Sequence, residues 1–279
     1  MKLLICTQMV DTNDPVLGFF ARWIEEFKKH CEVEVISLRD LGPRGKIARA
    51  WRLVRLAAPG TYDAVFVHMN PEYLVAAGWL WKLRGKKTAL WYTHKNVNLK
   101  LRVAELFADV ILTASKESFR LPSKKVRVMG HGIDTDFFTP DPGVARGEAI
   151  LSVGRLMKSK RHDLAIEAAA REHRELYIAG DGPERVALES LAKKLGARVH
   201  FLGGINQTQL RDEYRKAAYL IHTSETGSLD KVVLEALACG CPVKTNDPAL
   251  KYLEQATPAY VREHHSLAKL IPAILKVLA

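Results

Sequence analysis

Tyr219-Leu-Ile-His222, followed after Thr223 by Ser224-Glu-Thr-Gly-Ser-Leu-Asp-Lys-Val-Val-Leu-Glu-Ala-Leu-Ala-Cys-Gly-Cys-Pro-Val243, decides the fold. The apolar run reads as a strand, and Thr226-Gly227-Ser228 as a small-residue loop. Val232, Val233, Ala236 and Leu237 then give a helical segment one buried face. Gly240 stops that helix, and Pro242 lies just beyond it. The order is strand, short loop, helix N-terminus. Free N–H groups and a partial positive charge at such a terminus suit a phosphate, with the backbone of Gly227, Ser228 and Leu229 nearest to it. Ser228 is placed to cap the helix and Asp230 to sit in its first turn. Glu235, about one turn further in, offers two oxygens to a diol such as a ribose. An ordinary βα turn with a solvated glutamate has the same composition, so these residues alone leave both readings open.

Outward from this stretch, β-rich runs alternate with helical patterns in both halves, which predicts parallel α/β sheets. First-half strands are expected at Leu3–Thr7, Val33–Leu38, Ala64–Met69, Thr88–Tyr92, Val110–Thr113 and Val126–Met129. Met1-Lys-Leu-Leu-Ile-Cys6 reads as a first strand rather than a signal peptide. The polar loop after it leads into a helix around Phe19–Lys29, and Gly18 there permits close backbone approach. His94 falls just past a strand end, where it can donate a hydrogen bond or move a proton near neutral pH. In the second half a strand ends in Gly154, and Arg155 and Lys160 flank the loop that follows; two fixed cations there suit a diphosphate. Leu176-Tyr-Ile-Ala-Gly180-Asp-Gly182-Pro183 is strand, glycine turn and helix start.

Three of these blocks resemble the retaining glycosyltransferases of family 4. The family's Gly-Arg-Leu with a Lys four positions on matches Gly154, Arg155, Leu156 and Lys160; its Gly-x-Gly-Pro loop matches Gly180 to Pro183. Its Glu-Gly-Phe-Gly signature, with a second Glu eight positions after the first, matches at Glu235 but has Gly227 where the first Glu belongs. Lys125 to Pro140 resembles the segment closing the family's first domain, with His131 for the usual Asn. The resemblance implies the glycosyltransferase B fold: two Rossmann-like domains with parallel sheets facing across a cleft. Residues 1–140 would form the acceptor-side domain and 141–279 the nucleotide-sugar domain. It further implies that Arg155 and Lys160 neutralise the departing nucleoside diphosphate, that Glu235 holds the ribose and that His94 approaches the donor sugar. The missing first Glu leaves Asp230 or Glu225 to substitute. The last helix, about Ser266–Leu278, is short for the crossing back onto the first domain that members often make.

The activity implied is transfer of a sugar, with retention, from a nucleoside diphosphate sugar to a glycan or lipid-linked acceptor, with no metal and no cofactor. Alternatives are a non-catalytic sugar-nucleotide-binding subunit and a sugar-nucleotide epimerase on the same fold. A dinucleotide oxidoreductase is not expected, since no Gly-x-Gly-x-x-Gly follows the first strand.

The 279 residues carry a net charge of +11. Residues 1–140 hold 22 Lys and Arg against 14 Asp and Glu, so most of the excess is in the first half. An anionic partner on the first half fits this, whether a membrane surface, an anionic lipid or a charged glycan; nucleic acid does not, because no binding motif appears. Arg44–Ala58 is a basic amphipathic pattern with Ile47, Trp51, Val54 and Ala58 expected to face the sheet; such a helix can also lie on an anionic membrane, and the two readings are compatible. Lys82-Leu-Arg84-Gly-Lys86-Lys87, after Trp79 and Trp81, extends the basic surface. Cys6, Cys31, Cys239 and Cys241 have no metal spacing and read as reduced thiols of a cytoplasmic protein, peripheral at most to the inner face of the membrane.

Overall fold

The computed structural model describes residues 1–39, 42, 45–57, 60–224 and 228–279. By internal packing the chain divides into two compact units, Met1–Thr12 with Leu17–Gly132 and Leu267–Ala279, and Asn13–Val16 with Ile133–Ser266.

The first unit is built on a parallel sheet of β1 (Lys2–Thr7), β2 (Glu32–Ser37), β3 (Ala64–His68), β4 (Lys87–Trp91), β5 (Val110–Thr113) and β6 (Val126–Val128), in the order β2-β1-β3-β4-β5-β6. All six expected strands are present, with ends shifted by a residue at most. Successive side chains point to opposite faces of a strand, and here both faces are covered. Leu4, Cys6, Val65, Val67, Leu90 and Ile111 meet α2 (Lys46–Ala57), α3 (Glu72–Leu83) and α4 (Leu99–Phe107). Leu3, Ile5, Phe66, Ala89, Trp91 and Leu112 meet α1 (Gly18–Lys28) and the last helix of the chain.

Two expectations change here. The last helix, Leu267–Leu278, is long enough to pack in the first unit. Leu267, Leu270, Ile271, Ile274 and Leu278 recur at helical spacing and are all buried in the core beside α1. Among the described side chains of α2 Leu53 is buried, whereas Trp51 is 67% exposed and shares the outer face with Arg52 and Arg55. A second apolar stripe runs through Leu53, about 200° round the helix from Trp51, and the sheet takes that one, which turns Trp51 outward. Arg44 and Ala58, also assigned to this pattern, and the side chain of Ile47 lie outside the described residues.

The second unit has β7 (Ile150–Val153), β8 (Leu176–Ala179), β9 (Val199–Gly203), β10 (Tyr219–His222) and β11 (Val243–Thr245), all parallel, in the order β11-β10-β7-β8-β9. Its helices are α5 (His162–Glu172), α6 (Arg185–Leu195), α7 (Gln207–Lys216), α8 (Lys231–Ala238) and α9 (Pro258–His264). Ile150, Leu176 and Ile178 pack on α5 and α6; Leu151, Leu220 and Val243 pack against α7, α8 and α9. The last helix of the chain is α10.

The strand order fixes where a ligand belongs. From β7 the chain winds outward through β8 and β9, then crosses to the other side of β7 for β10 and β11. At such a reversal the loops leaving neighbouring strands diverge and open a crevice at their carboxyl ends. In this unit those ends are Val153 and His222.

Candidate functional site

Two glycine loops interlock at the carboxyl end of β7 and β8. The Gly154 N–H donates to Ala179 O at 3.0 Å, and the Leu156 N–H to Asp181 O at 3.0 Å. Gly180 has φ 143°, and a Cβ there would overlap the Gly154 carbonyl oxygen, so only glycine lets the loops meet. Gly182 lies equally close to the Leu156 backbone. The expected Gly154, Gly180 and Gly182 therefore form one backbone platform. Arg155 projects from it, exposed and with no ion pair among the described residues.

His162 locks the platform from below. Its Nε2 lies 3.2 Å from Gly154 O, and its Nδ1 lies 2.9 Å from Ser152 Oγ. A carbonyl only accepts, so Nε2 carries the proton and Nδ1 accepts from the serine. Burial, outweighing the hydrogen bond to Gly154, holds this imidazole down at about 4, so it is neutral near pH 7.

Lys160 faces the switch point. Its main chain is tied to the loop after β10, where Thr223 Oγ1 donates to Lys160 O at 2.9 Å. Its ammonium meets Asp230 Oδ2 at 2.6 Å, and the same oxygen takes a 2.9 Å bond from His222 Nε2. Behind it, Thr245 Oγ1 accepts from the Asp247 N–H at 3.1 Å and is hydrogen-bonded to His222 Nδ1 at 3.0 Å. His222 is 4% exposed. Burial pushes the Asp230 carboxyl up, but the His222 bond and the charge and bond of Lys160 outweigh it and bring the carboxyl down to about 2. Asp230 Oδ1 has no partner among the described residues.

Asp230 stands at the N-cap position of α8, but its side chain serves Lys160 and His222 instead of capping. Ser228 and Leu229 precede it; Gly227 and Glu225 lie outside the described residues. Glu235 is 1% exposed. Lys231 Nζ lies 3.3 Å from its Oε1, and Tyr214 donates to its Oε2 at 3.3 Å. Burial pulls the Lys231 amine down from its ordinary value, partly offset by Glu235, and pushes the Tyr214 hydroxyl well up, so Tyr214 is a donor. The second unit thus gathers Gly154, Arg155, Lys160, Gly180, Gly182, Ser228, Leu229, Asp230 and Glu235. Sequence reading missed His162, His222, Lys231 and Tyr214. The spacing of His222 and Asp230 carried no signal, because a loop rather than one helix face brings them together.

Gly18 and His94 belong to the first unit. A Cβ at Gly18 would lie 2.9 Å from Thr12 O, so its close approach is to its own loop. His94 is exposed, and its Nδ1 accepts from the Asn96 N–H at 3.0 Å, which leaves the proton on Nε2 as an outward donor.

This geometry has relatives. Residues 140–277 match the model of the family "Glycosyl transferases group 1". The chain belongs to that family. These are the retaining, B-fold enzymes that the motifs resemble, and the two parallel sheets are those of the fold. The chain is 33% identical over 129 residues to the phosphatidylinositol N-acetylglucosaminyltransferase gpi3 subunit of Schizosaccharomyces pombe, covering 43% of this chain and 28% of that one. It is 33% identical over 235 residues to D-inositol 3-phosphate glycosyltransferase 2 of Catenulispora acidiphila, covering 66% and 55%. It thus spans about half or less of the length of these relatives. Anabaena Alr3699/HepE, solved with UDP and glucose, superposes with a TM-score of 0.74 at 18% identity, over 100% of this chain and 99% of that one.

Proposed function

We propose that the chain transfers a sugar, with retention, from a nucleoside diphosphate sugar to a glycan or lipid-linked acceptor. The observation that carries this reading is the pairing of a free Arg155 guanidinium with Lys160 beside the glycine platform, at the switch point of the second sheet. As the bond to the leaving phosphate lengthens, negative charge grows on its oxygens. Lys160, already held by Asp230, stabilises that charge without reorganising, and Arg155 adds a second cation, so together they supply what a metal ion would otherwise supply. An ammonium has three donors, so Lys160 can keep Asp230 and take a phosphate oxygen together. The N–H groups at the start of α8, near Gly227–Leu229, add to the same field.

Asp230 replaces the carboxylate absent at Gly227. Its Oδ2 is committed to Lys160 and His222, and its Oδ1 is left to accept from a sugar hydroxyl. Glu235 takes the ribose, which must exchange with the Lys231 or Tyr214 bond to reach so buried a carboxylate. The acceptor belongs to the first unit, where His94 Nε2 offers a donor. Residues 1–140 and 141–279 are the two functional domains. Among the described residues no helix is long and apolar enough to cross a membrane. The basic excess of the first half supports a peripheral place on an anionic inner membrane surface and a lipid-linked acceptor.

The test is release of nucleoside diphosphate from UDP-, GDP- and ADP-sugars by wild type, Lys160→Met and Arg155→Gln, each with and without chelator. The expected result is slow release from one donor, insensitive to chelator and lost in both variants. Tight donor binding without release under any condition, unchanged by Asp230→Ala, favours a binding subunit and contradicts this reading.

A further inference from the structure

The helices covering one face of the first sheet break the usual rule that a surface helix is polar outside. In α3 the inward side chains Tyr73, Leu74, Ala77 and Trp81 are buried, as an α/β fold requires. The outward stripe, Val75, Trp79, Lys82 and Leu83, is apolar as well: Trp79 is 45% exposed and Leu83 78%. A helix apolar all round is one whose second face has a partner. The neighbouring helices repeat the pattern. In α2 Trp51, Arg52 and Arg55 are exposed on one side; in α4 Leu99, Arg102 and Leu106 are. The helices are adjacent: α2 packs beside α3, and between α3 and α4 the Lys82 ammonium reaches Leu106 O at 3.4 Å and Lys100 pairs with Glu72 at 2.6 Å. The exposed residues therefore form one patch.

Its charge is one-sided. Together α2, α3 and α4 contain seven lysines and arginines against two glutamates. Both glutamates are engaged, Glu72 by Lys100 and Glu105 by Ser123 at 2.7 Å. Arg84, Lys86 and Lys87 follow immediately after α3.

We propose that the outer side of α2, α3 and α4 is a docking surface for an anionic phospholipid bilayer. The argument is charge complementarity joined to side-chain type. Indole rings and a leucine at the level of a ring of cations match the boundary between acyl chains and anionic headgroups. A second copy of this chain would bring cations against cations. The proposal rests on the reading of a membrane-side acceptor given above, and it supplies the face that reading lacks. It corrects the sequence expectation as well, since Trp51 is part of this surface and not of the core.

The experiment is co-sedimentation of the full chain with vesicles of phosphatidylglycerol and phosphatidylcholine, and with vesicles of phosphatidylcholine alone. Binding is expected only to the first, with release at high salt. Arg52→Ala with Arg55→Ala should weaken it roughly thirtyfold, at about fivefold per cation. Trp79→Ser with Leu83→Ser should weaken it at least tenfold. Val186→Ser, an exposed valine of the second unit, should leave it unchanged. Brominated anionic lipids should quench tryptophan fluorescence in wild type, and that quenching should vanish in Trp51→Phe with Trp79→Phe. Trp23, Trp81 and Trp91 are buried and out of reach. Equal binding to both vesicle types, or binding indifferent to these substitutions, overturns the proposal. So does a concentration-dependent dimer lost in Trp79→Ser with Leu83→Ser, with no vesicle binding. Diphosphate release is read separately with soluble sugar nucleotides, so failure here leaves the transferase reading standing, and failure there leaves this one.

Discussion

The two parallel sheets reverse direction in the same way and end in opposite chemistry. In the second unit the carboxyl ends of β7 and β10 carry buried charge: Lys160, Asp230 and His222 in one bonded series, with Lys231 and Glu235 behind. In the first unit the reversal lies between β1 and β3, and their ends are Thr7 and His68. There Phe20 stacks on His68 at 3.8 Å between ring centres, and the Tyr73 hydroxyl donates to Thr7 O at 2.7 Å. No ion pair joins those ends among the described residues. One topology thus ends in two chemistries, and the charged one is where we propose that phosphate binds. Fixed cations in a partly buried crevice gain more from an anion than they would in water.

The comparison breaks most sharply at the cations. Lys160→Met or Arg155→Gln should reduce diphosphate release by a factor on the order of 100 to 1,000, the usual cost of removing one fixed stabiliser of developing charge. His94→Ala, in the first unit, should leave donor hydrolysis without acceptor nearly unchanged. Equal losses at His94 and Lys160 in that acceptor-free assay would erase the contrast.

Next in size is the buried pair. Glu235→Ala removes the buried carboxylate that faces the Lys231 ammonium and should cost about 3 kcal/mol, or several degrees in Tm. Adding Lys231→Met should restore most of it. Thermal unfolding of the single and double variants checks this, and it shows why loss of activity in Glu235→Ala alone says little about ribose. Glu235→Gln is the cleaner probe.

His162 gives a pH effect of roughly 3 kcal/mol. The unfolded chain takes up a proton near pH 6.5 and the folded one only near 4. The folded state is therefore at full advantage above pH 6.5 and loses it progressively down to pH 4. His265, also buried and held at about 4, adds to the slope in the same unit. Chemical denaturation between pH 4 and 7 should show the decline, flattened in His162→Asn. The smallest effect belongs to Asp230. Its depressed carboxyl stabilises above about pH 4, and that part is lost only as pH falls toward 2. Asp230→Asn should slow sugar release while leaving free-diphosphate binding within about threefold.

The fold was legible because strands covered on both faces are unbroken apolar runs, and all six in the first half could be read directly. The two cations of the candidate site were legible because Gly154, Arg155 and Lys160 lie within seven residues. Their partners were not. Asp230 and His222 meet Lys160 across a sheet reversal, and no sequence period encodes that meeting. Trp51 was misplaced because two apolar stripes compete on α2, and amphipathic spacing does not say which one the sheet accepts. The destination of α10 was misread from its length, although its apolar spacing already described a helix buried along one side.

The most direct test is calorimetric titration of UDP, GDP and ADP into wild type and Lys160→Met. The account predicts that one diphosphate binds wild type, more weakly at high salt, and at least tenfold more weakly to the variant. Equal affinity in both proteins would contradict the claim that the cations at the second sheet's reversal hold the diphosphate.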